Sequence, residues 1–486
     1  MNFTDILHAH ARDRPERAAI VEDGRTISYR ELDERVSMAA ANLDAAGIGM
    51  GDVIALTLED SAEHLVLLLA IARAGAVMVT IDGMLSAPER LQAASLAGAR
   101  AIVIDGPGSA IAGLRTLWLD EFRRPATAAF APPSIAADHP LALVQSSGTT
   151  GAPKSFLWSH RSMAVQAARH RRCFGWTEQD RYLAAVSMAF FWERELCFVL
   201  FHIGATIVVG RGLSPPALIE KAKAEAITIL ALTPAHLHLL LQLPPADIPA
   251  FPTVRTLVVG SAPLTHERRL AVRRRLTPNF YEQLGTNEAG LLVLGTPADQ
   301  DAEPAAIGRV APGVEARIVD AKGEAVAPGT VGLAGFRGEG FPGGYIGDAA
   351  ATARGFRDGW FYPGDLAAID ARGYFHFKGR ADDVINSQGV KFYPVEIEKA
   401  LLAHPAVAEA AVIGVPDPEQ GEAPVAFVVT TREIAADELR GFCLQRIAAY
   451  KAPNWFVFVD RLPKNPTGKV LRRRLREIYR DMRGQA

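Results

Sequence analysis

Five short segments of the chain place polar or charged side chains beside glycine, and one of them has the composition of an anion-binding loop. The first, SSGTTGAPK (146–154), places four hydroxyls, two glycines and Lys154 in nine residues. Small residues let backbone N–H groups approach phosphate, and a lysine adds charge that reaches the outer phosphates. Gly148 and Gly151 are too close together for a Walker loop. On its own, this segment fits either a phosphate-binding loop or an ordinary polar turn.

The other four segments lie far apart: VVGSAPL (258–264), EQLGTNEAG (282–290), GWFYPGDLA (359–367) and PKNPTGKVLRR (463–473). VVGSAPL ends a predicted strand in small residues, where a flat ring can lie against the backbone. Glu288 offers a carboxylate for a metal ion, whereas Asp365 and Lys469 offer charges on turns. Each segment also has an ordinary interpretation, as loop chemistry, a surface glutamate, a turn-capping aspartate or a solvated lysine.

The elements that must position these residues follow an α/β pattern. DVIALTL, VMVTID, GATIVVG, AITILAL and VRTLVVG have the length and composition of strands, and SAEHLVLLLAIARAGA between the first two has those of a helix. Strands that alternate with helix-length segments indicate βαβ units. We therefore predict a large N-terminal domain with mainly parallel sheets covered by helices.

The pattern changes near residue 380. There FHFKGRADDVINSQGVKFYPVEIEKAL runs from a strand through a charged turn into a helix, and AVAEAAVIGV and APVAFVVT follow as strands. We place a boundary here, with one domain over 1–380 and a small α+β domain over 381–486. The basic tail predicts an amphipathic closing helix rather than an RNA-binding segment.

Composition excludes several classes of protein. The 486 residues carry a net charge of −2, which gives no global attraction to nucleic acid or to an anionic membrane. Cys173, Cys197 and Cys443 lack the spacing of a zinc site or a disulfide framework. The sequence contains neither a run long enough to span a membrane nor an N-terminal targeting segment, so we expect a cytoplasmic enzyme.

In order and content, the five segments resemble the motifs of the adenylate-forming superfamily, which includes acyl- and aryl-CoA ligases, luciferases and nonribosomal adenylation domains. The similarity runs through nearly the whole chain. It implies an AMP-forming ligase that activates a small carboxylic acid with ATP and Mg²⁺. It also implies that the C-terminal domain is mobile and swings about a hinge at Asp382.

The resemblance assigns roles to individual residues. Those implied at the nucleotide are Ser146, Ser147, Gly148, Thr149, Thr150, Gly151 and Lys154 over the phosphates, Gly260, Ser261, Ala262 and Pro263 at the adenine, Thr286 and Asn287 near the phosphates, and Asp365 and Arg380 at the ribose. Glu288 is implied to ligate Mg²⁺, and Lys469 to bridge the substrate carboxylate and the α-phosphate. The implied catalytic residues are Lys469, Glu288 and Lys154.

One motif departs from the family. Where the family commonly has Tyr-Gly-x-Thr-Glu, this chain has Leu284, Gly285, Thr286, Asn287 and Glu288. The aromatic residue that often lies near the adenine or the acyl group is therefore missing. Asn287 can still donate a hydrogen bond to phosphate, and Thr286 can replace the shifted hydroxyl.

The resemblance places the acyl pocket at Phe190, Phe191, Trp192 and Arg194, with Gly285 beside them. Aromatic bulk favours a short-chain or aromatic acid, and Arg194 is a candidate partner for a second substrate carboxylate. The alternative is a helix that begins here, with Phe191 and Trp192 in the core and with Glu193 and Arg194 facing solvent or paired internally. No aspartate follows Phe191 where amino-acid-activating domains carry one, which disfavours amino acids.

The sequence leaves two alternatives for the thiol that accepts the acyl group. Ser387, Gln388 and Gly389 lie where CoA ligases present a glycine-containing loop near the pantetheine channel, so coenzyme A is the predicted acceptor. A free-standing adenylation enzyme that loads a carrier protein shares much of this pattern. A nucleotide-binding sensor is disfavoured because Lys469, Asp365 and Glu288 are all present. The sequence leaves monomer and homodimer open.

Overall fold

The computed structural model of the chain describes residues 2–106, 113–126, 130–146, 154–244, 248–260, 264–387, 390–417, 421–464 and 468–484. Its helices are α1 (Asp5–Asp13), α2 (Tyr29–Ala45), α3 (Ala62–Arg73), α4 (Ala87–Leu96), α5 (His160–Phe174), α6 (Phe191–Ile203), α7 (Pro215–Ala224), α8 (Pro234–Gln242), α9 (His266–Arg275), α10 (Pro297–Ala302), α11 (Ala349–Gly355), α12 (Pro394–Leu402), α13 (Ala436–Leu444) and α14 (Arg472–Gly484). Local chemistry sets their ends. The hydroxyls of Ser28, Ser61 and Ser159 cap α2, α3 and α5. Gly204 ends α6 in the left-handed region at φ 90°.

The first sheet contains β3 (Val53–Thr57), β4 (Val77–Thr80), β5 (Ala101–Ile104), β6 (Thr116–Trp118), β7 (Pro140–Ser146) and β8 (Lys154–Ser159). Its order is β6-β5-β3-β4-β7-β8. Every pair is parallel except β7 with β8, which are antiparallel at the edge. This edge pair carries the lysine of the first polar segment.

The second sheet begins with β1 (Ala18–Glu22), β2 (Arg25–Ser28), β9 (Arg181–Ala184), β10 (Thr206–Val209), β11 (Ile229–Leu232), β12 (Thr256–Val259) and β13 (Phe280–Thr286). Parallel pairing joins β1, β10, β9, β11, β12 and β13 in that order. All residues of β10, β11 and β12 are buried, as expected for parallel strands covered on both faces. The predicted α/β architecture is confirmed. The main core cluster includes residues of both α3 and α6 together with strands of both sheets.

Beyond β13 the second sheet becomes antiparallel, which the sequence did not predict. It continues through β14 (Gly290–Gly295), β15 (Gly308–Val310), β16 (Val314–Val319), β17 (Gly332–Gly338), β18 (Phe356–Arg357), β19 (Trp360–Phe361), β20 (Asp365–Ile369) and β21 (Tyr374–Arg380). Apart from β14 (GLLVLG), which is buried throughout, most of these strands contain glycine or polar residues or are only half-buried, so they lack the continuous apolar runs that mark the parallel strands.

The C-terminal part forms the predicted small α+β unit. Its sheet contains β22 (Ile385–Ser387), β23 (Val390–Phe392), β24 (Val407–Asp417), β25 (Gly421–Thr430) and β26 (Trp455–Phe458). The tail forms α14, the predicted closing helix, and Leu475 on its inner face is fully buried. Burying a leucine in this way contributes about 1.5–3 kcal/mol. The last strand of the second sheet, β21, ends at Arg380, but the division of the chain at 380/381 stays a prediction.

Candidate functional site

Only part of the predicted nucleotide-binding set lies within the described ranges. Outside them fall Ser147, Gly148, Thr149, Thr150, Gly151, Ser261, Ala262 and Pro263, together with Gln388 and Gly389 of the predicted thiol channel. Ser146 is the last residue of β7, and its backbone pairs with Lys154 at the start of β8. The two ends of the first polar segment are therefore held side by side.

Lys154 and Glu288 come from distant parts of the chain and meet at Tyr345. The Lys154 ammonium lies 5.0 Å from the centroid of the Tyr345 ring. The Tyr345 hydroxyl donates a hydrogen bond to Glu288 Oε1 at 3.0 Å. One aromatic side chain thus contacts both the predicted phosphate-binding cation and the predicted metal ligand.

The surroundings of Tyr345 keep its hydroxyl neutral. Burial raises the pKa of Tyr345, and the negative charge of Glu288 and the hydrogen bond to it raise this pKa further. The positive charge of Arg380 acts in the opposite direction, so Arg380 lies within electrostatic range of the hydroxyl. Tyr345 therefore remains a hydrogen-bond donor at physiological pH.

Glu288 is presented by a short turn between β13 and β14. Thr286 Oγ1 accepts a hydrogen bond from the Ala289 N–H at 3.1 Å, and Trp158 Nε1 donates to the Asn287 carbonyl at 2.8 Å. The Thr286 hydroxyl is engaged within the turn, whereas Asn287 is exposed. These bonds fix the backbone on both sides of Glu288, and Asn287 is the better placed of the two neighbours to reach a ligand.

Strand packing explains why position 285 is occupied by glycine. A Cβ at this position would lie 2.7 Å from the carbonyl oxygen of Gly290, on the neighbouring strand. The pairing of β13 with β14 is also irregular between Leu284 and Gly285. The close approach of the two strands requires glycine here. Its predicted place beside the acyl pocket stays a prediction.

Asp365 and Arg380 are cross-strand partners at the ends of β20 and β21. Arg380 Nη1 donates a hydrogen bond to Asp365 Oδ1 at 2.8 Å, and Asp365 is buried. Gly364 precedes the pair with φ 89°, and a Cβ there would lie 3.2 Å from Arg380 Nη2. The described partner of the carboxylate is therefore Arg380 on the facing strand, and not the backbone of its own turn.

Lys469 lies close to this pair. The residue as a whole is exposed, but its ammonium lies where protein atoms are dense. Burial lowers the pKa of Lys469, the charge of Arg380 lowers it further, and Asp365 raises it. The preceding Gly468 contacts the large domain, because a Cβ there would lie 3.9 Å from Ala235 Cβ on α8. The C-terminal lysine thus shares one electrostatic environment with Arg380 and Asp365.

Gly260 follows β12 and faces Gln283 on β13. A Cβ at Gly260 would lie 3.3 Å from Gln283 Cγ, so a larger residue would displace this side chain. The Gln283 Oε1 atom is buried and has no hydrogen-bond partner among the described residues. The predicted role of Gly260 at the adenine stays a prediction.

The segment predicted to form the acyl pocket begins a helix. Phe191 opens α6 and is buried, with its ring centroid 5.0 Å from that of Trp158. Phe190 and Trp192 are only half-buried, and Trp192 packs against the main core. Phe191 therefore fills the core, as the alternative interpretation expected, whereas Phe190 and Trp192 keep the partial exposure that residues lining a pocket need.

The Arg194 side chain forms hydrogen bonds within the protein. Its Nη1 atom donates hydrogen bonds to the carbonyls of Met188 at 2.6 Å and Ala189 at 2.8 Å. Burial lowers the pKa of Arg194 to about 10, which still leaves it positively charged. Its neighbour Glu193 is fully buried and accepts a hydrogen bond from Tyr182 at 2.8 Å. The geometry favours internal pairing of Arg194 over recognition of a second substrate carboxylate.

The remaining predicted residues lie in the C-terminal part. Asp382 is exposed within a single 3₁₀ turn, Ala381–Asp383, which lies between β21 of the second sheet and β22 of the C-terminal sheet. The next residue, Asp383, forms ion pairs with Arg472 at 3.5 Å and Arg476 at 3.3 Å. Ser387 ends β22 and is buried. The helix that follows Lys469 is therefore tied to the residue that follows the predicted hinge.

Tyr345 was missed from the sequence, although it joins the two halves of the site. It lies in the stretch FPGGYIGD, where two glycines precede an aromatic residue. A Cβ at Gly344 would lie 2.5 Å from Thr352 Cγ2, so tight packing explains the second glycine. Glycine pairs of this kind are common in turns, and nothing in the local pattern points to the site.

The described residues also bear on cofactors and membranes. No cluster of three or more His, Cys, Asp or Glu side chains arranged to hold a metal occurs in these ranges. Mg²⁺ is commonly bound by one or two carboxylates together with substrate phosphates, so Glu288 beside a nucleotide fits this ion. Over the same ranges, every helix is too short or too polar to cross a bilayer.

Comparison with known proteins identifies the family. The model of the AMP-binding enzyme family matches residues 7–346, and that of the AMP-binding enzyme C-terminal domain matches residues 396–469. The chain belongs to the AMP-binding enzyme family.

Individual relatives match over nearly their full length. The chain is 30% identical to the fatty acid–[acyl-carrier-protein] ligase ScoC of Streptomyces coeruleorubidus, covering 97% of this chain and 95% of ScoC. It is 33% identical to a feruloyl-CoA synthase of an Amycolatopsis species, covering 96% and 97%. It also resembles the structure of o-succinylbenzoate coenzyme A synthetase (MenE) from Bacillus subtilis in complex with ATP and magnesium ion, with TM-score 0.91, 27% identity and coverage of 97% and 99%.

Proposed function

We propose that the protein is an AMP-forming carboxylate–CoA ligase. In the first half-reaction, a carboxylate oxygen of the substrate acid bonds to the α-phosphorus of ATP, and pyrophosphate leaves. In the second, the sulfur of coenzyme A bonds to the acyl carbon of the acyl-adenylate, and AMP leaves. Family membership supports the use of ATP, and relatives named as CoA ligases support the thiol step.

The observation that carries the proposal is the convergence of charged residues from four parts of the chain. Tyr345 contacts Lys154 and Glu288, and Arg380 lies within electrostatic range of Tyr345. Arg380 in turn pairs with Asp365, and both charges act on Lys469. Cations and carboxylates are thereby linked in one chain of contacts and electrostatic interactions, which supports a site for a triphosphate nucleotide and its metal.

This arrangement suits attack of one anion on another. A carboxylate must approach an anionic phosphorus, so the site has to screen like charges and stabilise the charge that grows on the phosphoryl oxygens. We propose that Lys154 holds the outer phosphates and that Lys469 lies between the substrate carboxylate and the α-phosphate. Asp365 would bind the ribose hydroxyls. Glu288 would hold Mg²⁺, which when bound neutralises phosphate charge.

The second half-reaction requires the acyl-adenylate to meet a thiol. We propose that the C-terminal domain, 381–486, turns about Asp382 between the two steps. The ion pairs of Asp383 with Arg472 and Arg476 support movement of this domain as one body, because they join the start of the domain to the helix behind Lys469. Ser387 would then move towards the thiol channel.

For the acid, we propose a short-chain or aromatic substrate. The half-buried aromatic residues Phe190 and Trp192 at the start of α6 support this choice. Coenzyme A is the proposed acceptor. The similarity to a ligase named for an acyl carrier protein keeps a carrier-protein thiol as the second candidate.

Pyrophosphate release with a panel of acids tests the proposal. The panel contains acetate, medium-chain, aromatic and dicarboxylic acids, each with ATP and Mg²⁺. Every reaction is run with free CoA, with a holo carrier protein, and without a thiol. We expect acid-dependent pyrophosphate release and acyl-CoA formation with an aromatic or short acid. Acyl transfer to the carrier protein and none to CoA would select the second candidate, and nucleotide binding without acid-dependent pyrophosphate release would refute a ligase.

A further inference from the structure

We infer that Tyr345 is a positioning residue that sets the Glu288 carboxylate and the Lys154 ammonium relative to each other, and thereby determines the affinity of the site for a metal–nucleotide complex. This inference rests on the proposed function, because it assumes that the two side chains serve ATP and its metal ion. It adds a residue outside the sequence motifs that suggested the site.

The first contact concerns the metal side of the site. The Tyr345 hydroxyl donates to Glu288 Oε1, which restricts rotation of the carboxylate and directs one oxygen towards the tyrosine. Among the described residues, no hydrogen bond to Glu288 Oε2 is found. On the proposed function, this carboxylate would bind the metal ion. Outer hydrogen bonds that orient a metal-binding carboxylate typically change metal affinity by about 10- to 100-fold.

The second contact concerns the phosphate side. The Lys154 ammonium lies over the face of the same ring, which attracts a cation through its quadrupole. Lys154 is also the last residue of the first polar segment and the first residue of β8. The ring thus limits the positions that the ammonium can take.

Tyr345 is itself held firmly. Its ring packs edge-on against Phe156 and Phe356, with centroids 6.2 and 5.4 Å away. Its backbone N–H donates to Thr352 Oγ1 at 2.9 Å. The next residue, Ile346, donates from its N–H to the carbonyl of Ser155 at 2.7 Å. The loop is therefore attached to β8 one residue after Lys154. This attachment holds the Tyr345 ring in a fixed position relative to Lys154 and Glu288.

A purely structural role for Tyr345 makes different predictions. Tyr345→Phe keeps the ring and its packing and removes only the hydroxyl. If the tyrosine merely fills space, this change lowers thermal stability slightly and leaves ligand affinities unaltered. If it positions Glu288, the loss is confined to ligands that carry a metal.

The test measures binding to the full-length protein by calorimetry, in the absence of acid and thiol. The ligands are Mn²⁺–ATP, with Mn²⁺ as the probe for Mg²⁺, and metal-free ATP in EDTA. For Tyr345→Phe we expect the dissociation constant of Mn²⁺–ATP to rise by about 10- to 100-fold and that of metal-free ATP to stay unchanged. For Tyr345→Leu we expect metal-free ATP to weaken as well, by about 2- to 5-fold, because the cation–π contact is lost.

Two controls separate positioning from stability. Tyr182→Phe removes a similar tyrosine–glutamate hydrogen bond, to the fully buried Glu193, and should lower the melting temperature without changing either affinity. In a Glu288→Gln background, Tyr345→Phe should have little further effect on Mn²⁺–ATP, since the group that it positions has been altered.

Unchanged Mn²⁺–ATP affinity in Tyr345→Phe would overturn the inference, and so would an undiminished effect in the Glu288→Gln background. Wild-type protein that binds no Mn²⁺–ATP would overturn it too. Failure of the ligase proposal is distinguishable, because it would appear as missing acid-dependent pyrophosphate release while the effect of Tyr345→Phe on Mn²⁺–ATP binding persists.

Discussion

The Asp365 carboxylate accepts a hydrogen bond from the Arg380 guanidinium at 2.8 Å, across the strand pair that ends beside Lys469. The arginine holds one carboxylate oxygen. We propose that the carboxylate also binds the ribose hydroxyls of AMP. We expect Asp365→Asn to weaken AMP binding by about 10- to 100-fold, since a hydrogen bond to a charged group contributes about 1.5–3 kcal/mol. Calorimetry measures the dissociation constants of AMP and 2′-deoxy-AMP. The wild type should bind AMP more tightly than 2′-deoxy-AMP, and the variant should lose that preference.

Asp370→Asn is the matched control for this change. Asp370 lies just beyond β20, where it accepts hydrogen bonds from the backbone N–H groups of Arg372 and Tyr374. The control should leave AMP affinity unaltered. If Asp365→Asn retained the wild-type preference for AMP, the assignment of Asp365 to the ribose would be wrong.

Replacing Lys469 should separate the two half-reactions. Lys469→Ala removes a positive charge from the proposed site of phosphoryl transfer, and the loss of such a contact costs about 2.7–4 kcal/mol, at least a hundredfold in rate. We expect adenylate formation, measured as ATP–pyrophosphate exchange, to fall by this factor. Transfer of the acyl group from supplied acyl-adenylate to CoA should stay near the wild-type rate. Equal loss in both assays would contradict the role given to Lys469.

Arg473→Ala serves as the neighbouring control. Arg473 lies on α14, pairs with Glu477 at 3.2 Å, and is largely exposed. Its replacement removes one positive charge from α14, the helix that follows Lys469, and changes no residue of the proposed site. Both half-reactions should remain unaffected, which would exclude a general effect of positive charge on this domain.

The parallel half of the fold was predictable because burial on both faces leaves a continuous apolar run. TIVV at β10 and ILAL at β11 are such runs, and the helices between strands carry caps and long apolar faces. The strands after β13 were not predictable in the same way. GLAGFRG at β17 mixes glycine and arginine with apolar residues, and its positions range from buried to exposed.

The site was predictable where a residue stands in a motif and not where it acts through packing. Glu288, Asp365 and Lys469 stand in glycine-rich turns that also resemble a family pattern. Tyr345 reaches Lys154 and Glu288 only because its loop bonds to β8, a contact between segments far apart in the chain. The direction of Arg194 was equally hidden, since helix periodicity alone does not say which carbonyls its guanidinium meets.

Arg194→Met tests whether this arginine reads the substrate or supports the loop before α6. Its removal leaves the carbonyls of Met188 and Ala189 without their donor, at a cost of about 1–3 kcal/mol for each group left unsatisfied. We expect a lower midpoint in urea unfolding and a similar fall in kcat/KM for every acid that the enzyme uses. A fall confined to dicarboxylic acids would instead restore Arg194 as the partner of a second carboxylate. Arg211→Met, at an exposed arginine, should change neither quantity.

Buried neutral histidines should make the protein acid-sensitive, and His170 gives the clearest case. Burial lowers the pKa of His170 from 6.5 to about 4. Its Nδ1–H donates to the Gln166 carbonyl at 3.0 Å, and its ring stacks on Trp176. Below pH 6.5 the unfolded chain binds a proton that the folded protein does not bind until about pH 4. The contribution of His170 to stability is therefore complete above pH 6.5 and is lost as the pH falls towards 4.

His170→Phe keeps a ring in the aromatic cluster and removes this titration. We expect the free energy of urea unfolding, followed by tryptophan fluorescence, to fall less between pH 7.5 and 4.5 than in the wild type, by about 2–3 kcal/mol. Phe174→Leu in the same cluster, where Phe174 stacks on Trp176, should lower stability by an equal amount at both pH values. An unchanged pH dependence in His170→Phe would show that the acid sensitivity arises elsewhere, with His64 and His160 next to be tested because burial lowers their pKa values to about 3 and about 4.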